Sequence, residues 1–228
     1  MSMSRDIFNN LSVLKNNEGT VEKIIKNRIS ARNFVTESYN PISINATKPD
    51  VKVKFAENVT RSMNIEEIFF SNMLPALEQK ALDPYIVDAF NSLRGNPAII
   101  KSNCEPVSCS GVHKDRIIRI LSEYIGEDIV DLYGDYFRKS DILTGIQKNN
   151  RGAFRVISFY KVDPIIHKKQ KHSKHTLIIT LIDPYHLFIP SKLGNKTAEE
   201  AMKEQYNKIR EFSMQIADEY PVLIEHDS

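Results

Sequence analysis

The amino-acid sequence predicts an α+β fold, an antiparallel sheet with helices packed mainly on one face. Three observations predict it. Phe154–Val162 and Thr176–Ile182 are β-branched and aromatic runs, apolar on both sides, as central strands require. Segments of helical period, with recognisable start and stop residues, surround them. The composition is that of a globular chain, with 41% hydrophobic and 26% charged residues, which excludes wholesale disorder.

The elements follow in chain order. Val21, Ile24, Ile25 and Ile29 recur at helical spacing and predict a helix over Thr20–Phe34. Glu37–Asp50, broken by Pro41 and Pro49, reads as a linker or extended arm. The boundary near Asp50 separates an N-terminal helix and arm (residues 1–50) from an α+β domain with a C-terminal helix (residues 51–228). Val51, Val53 and Phe55 alternate with Lys52 and Lys54, the period of a half-buried strand. Asn64 and Glu67 form a capping-box pattern ahead of Ile65, Ile68, Phe69 and Met73, which predicts a helix that Pro75 kinks. Asp83–Pro84 starts a helix through Tyr85, Ala89 and Leu93, and Gly95–Asn96–Pro97 stops it. Ser102–Gly111 is loop-like.

His113–Tyr124 returns to helical period, with Gly126 as its stop. Asp131–Phe137 is ambiguous between a short strand and other structure. The two central strands come next, joined by DPIIHKKQKHSKH, longer than an ordinary hairpin connection. Thr197 and Glu200 then cap a C-terminal helix whose stripe runs through Met202, Tyr206, Ile209, Ile216 and Tyr220 to Pro221.

Charge and length restrict the function. The formal charge of +2 is nearly neutral, so attraction to a polyanion must come from a local patch. No run approaches the roughly 20 apolar residues of a membrane span, so no membrane partner is expected. The opening residues, MSMSRDIFNNLSVLKNN, lack the apolar core of a signal peptide, and Cys104 and Cys109 are too few for a disulfide framework. The expected compartment is the cytoplasm.

Four groups of residues can carry chemistry. His167–His175 holds four lysines (Lys168, Lys169, Lys171, Lys174), three histidines and no acid. Such a cluster suits a phosphate backbone, or simply keeps a hairpin tip solvated. Arg151 and Arg155 flank the start of the first central strand. A guanidinium there can grip a phosphate in a fork, or pair with a nearby carboxylate. Asp183–Pro184–Tyr185–His186 follows the second central strand, and its sharp turn can expose Tyr185 and His186 toward the Arg-bearing edge. Histidine titrates near neutrality and suits proton transfer, although His186 beside Leu187, Phe188 and Ile189 also suits packing. Cys104, Cys109 and His113 form C-x4-C-x3-H, a spacing loose for structural zinc and one ligand short. Nucleotide-binding, zinc-protease and serine-hydrolase signatures are absent, so no cofactor is expected.

The segment from Val51 to Pro190 resembles the RelE/ParE toxin superfamily of bacterial toxin–antitoxin pairs. The resemblance lies in an order of elements: VKVKF, a helical pair ending in LRGNP, then DLYGDYFRK, RGAFRVISFYK and HTLIITLID. RGAFRVISFY, with Arg151 and Arg155 entering an apolar strand, is the nearest local likeness. The resemblance implies a concave antiparallel sheet on two helices, with basic residues on its open face. In the RNA-cleaving branch it implies attack by a ribose 2′-hydroxyl on the adjacent phosphate of ribosome-bound mRNA, without metal. On this chain Arg155 would stabilise the phosphate, Arg138 or Lys174 would assist, and His186 or Tyr185 would move the proton. The other branch poisons DNA gyrase.

The leading expectation is therefore a toxin-type, metal-independent endoribonuclease. Its partners would be RNA, the ribosome and a cognate antitoxin protein. The alternative is a non-catalytic nucleic-acid-binding or protein-interaction module in phage or plasmid defence, using the lysine-rich connection.

Overall fold

The computed structural model describes residues 45, 46, 48, 50–79, 81–109, 111–142, 154–163 and 173–221. The helix expected over Thr20–Phe34, most of the following linker, and residues 164–172 of the connection lie outside them.

Among the described residues seven strands build two sheets. They are β1 (Lys52–Phe55), β2 (Asn64–Ile65), β3 (Phe70–Ser71), β4 (Cys104–Pro106), β5 (Phe137–Asp141), β6 (Arg155–Asp163) and β7 (Lys174–Asp183). The main sheet has five strands in the order β1-β7-β6-β5-β4, and β2-β3 is a separate hairpin. Only β1 runs parallel to its neighbour, β7; the other pairs of the main sheet are antiparallel. The fold is α+β with a mostly antiparallel sheet, as the sequence predicts. The two apolar runs are its inner strands β6 and β7, each buried along nearly its whole length.

One irregularity sets the geometry of the sheet. Ile157 faces Leu181 while Ser158 faces Ile179, which leaves Thr180 as an extra residue on β7. Its hydroxyl donates to the Ile157 carbonyl at 3.0 Å. A bulge of this kind shifts the side-chain alternation by one position. Beyond Thr180, Leu181 and Asp183 therefore lie on the face that carries Ile157 and Arg155. That face is called the front.

Five α-helices accompany the sheet among the described residues: α1 (Pro84–Gly95), α2 (Lys114–Ile125), α3 (Glu127–Tyr133), α4 (Ala198–Ile209) and α5 (Ile216–Glu219). Helix α1 starts where expected, with the Asp83 carboxylate accepting from the Tyr85 amide at 2.9 Å and proline in the first turn. Helix α2 stops at Gly126, whose φ of 89° favours glycine. Thr197 and Glu200 close the capping box of α4, with bonds of 3.2 and 2.8 Å. Tyr133 and Tyr136 meet Phe159 on the front of β6. Phe90 of α1 meets Phe154, which precedes β6 on the opposite parity, and also stacks on Tyr220. Helical residues thus meet side chains of both parities.

Three local expectations are corrected, and the ambiguous stretch is resolved. The helix expected from Asn64 is instead the β2–β3 hairpin, with a 3₁₀ turn at Glu66–Ile68 and Phe69 at φ 52°. Tertiary partners outcompete the cap: the Asn64 amide donates to the Arg210 carbonyl and accepts from the Tyr206 hydroxyl. Buried Asn72 bonds Met63, Tyr124 and Ile182. Ser102–Gly111 contains edge strand β4, and Asp131–Phe137 is mostly helical before β5 begins. The C-terminal stripe is two helices, because Met214 leaves the helical path to exchange hydrogen bonds of 2.8 and 3.0 Å with Leu74.

Candidate functional site

The turn after β7 is built around one carboxylate. Asp183 has no exposed surface. Its Oδ1 accepts from the amides of Tyr185 (3.3 Å) and Leu187 (3.0 Å), and Oδ2 accepts from Phe188 at 2.8 Å. Three amide donors replace the water that a buried anion gives up. Arg116 of α2 clamps the same turn from its carbonyl side. Its Nε lies 3.2 Å from the carbonyl oxygens of both Leu187 and Phe188, and its terminal nitrogens reach those of Ile68, Phe69 and Leu187. Burial lowers the Arg116 guanidinium to about 10, against the opposing pull of Asp183.

His186 sits at the apex of this clamped turn with φ 61°, a left-handed conformation that a non-glycine residue holds at some cost. It is half-buried, and its Nε2 lies 2.9 Å from the Ser191 hydroxyl. Arg155 lies at the same end of the β6–β7 pair. Cross-strand register aligns Asp141, Arg155 and Asp183 on β5, β6 and β7. The Arg155 Nε is 2.8 Å from Asp141 Oδ1, with the side chains 15% and 28% exposed. The N–H does not point along that line, so this is an ionic contact and not an aligned hydrogen bond. Of the two roles open to Arg155, the ion pair is present. The terminal guanidinium nitrogens have no hydrogen bond among the described residues, which leaves donors for an anion.

Two sequence candidates do not fit the open surface expected of them. Arg138 is 1% exposed and on the back of the sheet, opposite Ser158. Its Nη1 donates to the carbonyls of Asp135 and Phe137 at 2.7 and 2.8 Å, and burial lowers its pKa. Tyr185 is 6% exposed beside Phe212, and burial raises its hydroxyl well above the usual phenol range. A phenol held so firmly in its protonated form suits packing better than proton transfer at pH 7.

The remaining basic candidates lie elsewhere. Lys174 is exposed, but it begins β7 opposite Asp163, at the other end of the strand pair from Arg155. Eight residue steps of β6 span about 26 Å. Arg151, Lys168, Lys169 and Lys171 lie outside the described residues. Arg155 and His186 therefore lie at the same end of the β6–β7 pair, and Lys174 lies at the other.

Register adds two residues that sequence reading missed, Asp141 and Lys139, on the front of β5. Lys139 pairs with Glu105 of β4 at 3.1 Å. The signal for them was faint, because the strand begins only after a helix and a 3₁₀ turn within an ambiguous stretch. Cys104 faces Ser140 across the β4–β5 pair, and Cys109 donates to the Gly134 carbonyl at 3.4 Å. Burial raises both thiols, Cys109 to about 11. Among the described residues no group of three or more His, Cys, Asp and Glu is placed to hold a metal ion, and no helix is long and apolar enough to cross a membrane.

Comparison with known protein families, with curated proteins and with solved structures finds no match.

Proposed function

We propose that this chain is a toxin-type, metal-independent endoribonuclease acting on mRNA, with Arg155 and His186 as its working pair. The observation that carries the reading is the β6–β7 register. It sets Arg155 opposite Asp183, three residues before His186, at the same end of the sheet. The consecutive antiparallel strands β5, β6 and β7, which the RelE/ParE resemblance also implies, support it, although the helical pair expected ahead of LRGNP is a β-hairpin followed by a single helix.

In this reading the His186 imidazole takes the proton from a ribose 2′-hydroxyl as its oxygen attacks the adjacent phosphorus. The phosphorus–5′-oxygen bond breaks, leaving a 2′,3′-cyclic phosphate, and the departing 5′-oxygen takes a proton from water. The Arg155 guanidinium stabilises the charge that builds on the phosphate oxygens. Asp141 holds the guanidinium from behind. Arg138 and Tyr185 have no part in the step. The ribosome and a small antitoxin protein are the partners that accompany this reading, and the cytoplasm is where they would meet.

The test is direct. Purified chain is incubated with single-stranded RNA in excess chelator, and fragment ends are identified. Cyclic phosphate ends that disappear in Arg155→Ala and in His186→Ala support the pair. Equal cleavage by the wild type and both variants removes it.

A second reading, binding of nucleic acid without cleavage, is favoured by the exposed Lys174 at the far end of the strand pair. It predicts salt-sensitive RNA retention with no product.

A further inference from the structure

Among the described residues two that are not glycine hold a left-handed backbone, Phe69 at φ 52° and His186 at φ 61°. They belong to different parts of the fold, the loop of the β2–β3 hairpin and the turn after β7. One side chain holds both. Arg116 of α2 donates to the carbonyls of Ile68 and Phe69 on one side, and to those of Leu187 and Phe188 on the other. A left-handed conformation is uncommon for a bulky residue and persists only where the surroundings over-determine it. Here the two residues share those surroundings.

The bonding explains how one guanidinium acts on two turns. The Ile68 and Phe69 carbonyls belong to the peptide planes before and after the Phe69 Cα, so holding both fixes φ and ψ at that residue. On the other side, the peptide plane joining Leu187 to Phe188 donates its N–H to Asp183 Oδ2 at 2.8 Å. The carbonyl of the same plane accepts from Arg116 Nε at 3.2 Å. Asp183 also takes the Leu187 amide at 3.0 Å, from the plane that follows His186. An anion and a cation thus grip the backbone just past His186 from opposite sides. The planar fork of arginine reaches both carbonyl pairs at once, and a lysine ammonium has no such fork. The ring presented in this way meets the Ser191 hydroxyl through Nε2 at 2.9 Å.

We infer that Arg116 is a positioning residue for His186, and that it sets His186 and the Phe69 loop together. Its donors go to main-chain carbonyls, so its effect on a reaction passes through the backbone from which the imidazole projects. A misplacement of about 1 Å in a reacting group can cost on the order of a hundredfold in rate. A change at Phe69, remote in the chain, should therefore be felt at His186. The inference rests on the reading that His186 is the working imidazole, and not on RNA being what it works on.

The experiment uses the full chain and substitutions outside the Arg155–His186 pair. Phe69→Val and Phe69→Asn both remove the ring that meets Tyr206 edge-on at 5.6 Å and lies 5.4 Å from the Lys203 ammonium. Asparagine accepts a left-handed backbone, and β-branched valine does not. Phe69→Val should therefore shift the φ-dependent backbone couplings of His186, read by nuclear magnetic resonance. Phe69→Asn should leave them as in the wild type, and Arg116→Lys should shift them. On single-stranded RNA, at a temperature where each variant is folded, Phe69→Val and Arg116→Lys should lower kcat about tenfold to a hundredfold and keep KM within about twofold. Phe69→Asn should retain kcat within about threefold. Unchanged couplings at His186 in Phe69→Val and Arg116→Lys overturn the inference. So do equal losses in the two Phe69 variants, which would trace the effect to packing of the ring. If Arg116→Lys does not fold, the contrast between the two Phe69 variants decides. Shifted couplings in a chain whose wild type cleaves no RNA would defeat the nuclease reading and keep this one. Cleavage abolished by His186→Ala but indifferent to Phe69→Val and Arg116→Lys would do the reverse.

Discussion

Arg155 and Asp183 stand directly opposite each other across the β6–β7 ladder, yet the carboxylate of Asp183 is turned onto the backbone of its own turn. The guanidinium to be expected as its cross-strand partner is instead held by Asp141, one strand further on. Two carboxylates flank one guanidinium, and their tasks are divided. Asp183 shapes the turn that presents His186, and Asp141 holds Arg155.

The first prediction concerns Asp183. An asparagine of the same shape keeps one acceptor but turns an amide group toward backbone donors. Asp183→Asn should lose about 3 kcal/mol of stability, because the acceptor is buried and serves three amides. Urea unfolding of the wild type and variant measures the difference. A change below about 0.5 kcal/mol would mean that the carboxylate does not organise the turn.

Thr180 gives a sharper test of topology. Thr180→Val removes only the bond to the Ile157 carbonyl and should cost about 1 kcal/mol. Deleting Thr180 should be far worse. Without the extra residue, Asp183 would move to the back of the sheet, into the core that Phe154 and Val156 occupy. Amide spectra of the deletion variant should show loss of the native fold. A native-like spectrum would contradict the bulge.

These two residues also mark what the sequence made legible. Apolar runs without a polar face announced β6 and β7 as inner strands, and Asp83–Pro84, Gly126 and Thr197–Glu200 marked helix ends through chemistry that is local to them. Asn64 failed as a cap because its partners, Tyr206 and Arg210, are more than a hundred residues away in the chain. Thr180 looks like any strand threonine until the register of β6 is known. Arg155 and His186 could be placed at the same end of the sheet in advance because one begins a recognisable strand and the other follows the end of its neighbour. Arg138 could not be seen as buried, since a charged residue entering a short strand usually faces water and here lies on the core side of β5.

Cys109 supplies a pH-dependent prediction. Burial raises its thiol to about 11, with the charge of Asp135 adding to the effect. A thiol whose pKa is higher folded than unfolded stabilises the fold below the unfolded value and loses that contribution as pH rises through the folded one. Stability should therefore fall between about pH 9 and 11, and the decline should be smaller in Cys109→Ala. At pH 8 the native thiol should also alkylate at least about tenfold more slowly than a free cysteine, because the thiolate is the reactive form. Mass spectrometry after timed labelling checks the rate, and labelling as fast as in unfolded protein would refute the burial.

The last prediction separates catalysis from stability at Arg155. Its ionic contact with Asp141 is partly exposed and poorly aligned, so Arg155→Ala should change unfolding stability by less than about 1 kcal/mol. If the guanidinium stabilises the charged phosphate during cleavage, its loss should lower kcat by roughly a hundredfold to a thousandfold. Arg155→Lys keeps the charge but not the fork, and should recover only part of that loss. Asp141→Asn leaves the donors in place while releasing their anchor, so it should raise KM more than it lowers kcat. A parallel fall of activity and stability in Arg155→Ala would show the residue to be a strand-end prop. Activity falling alone, with partial rescue by lysine, is the pattern that a phosphate-binding guanidinium requires.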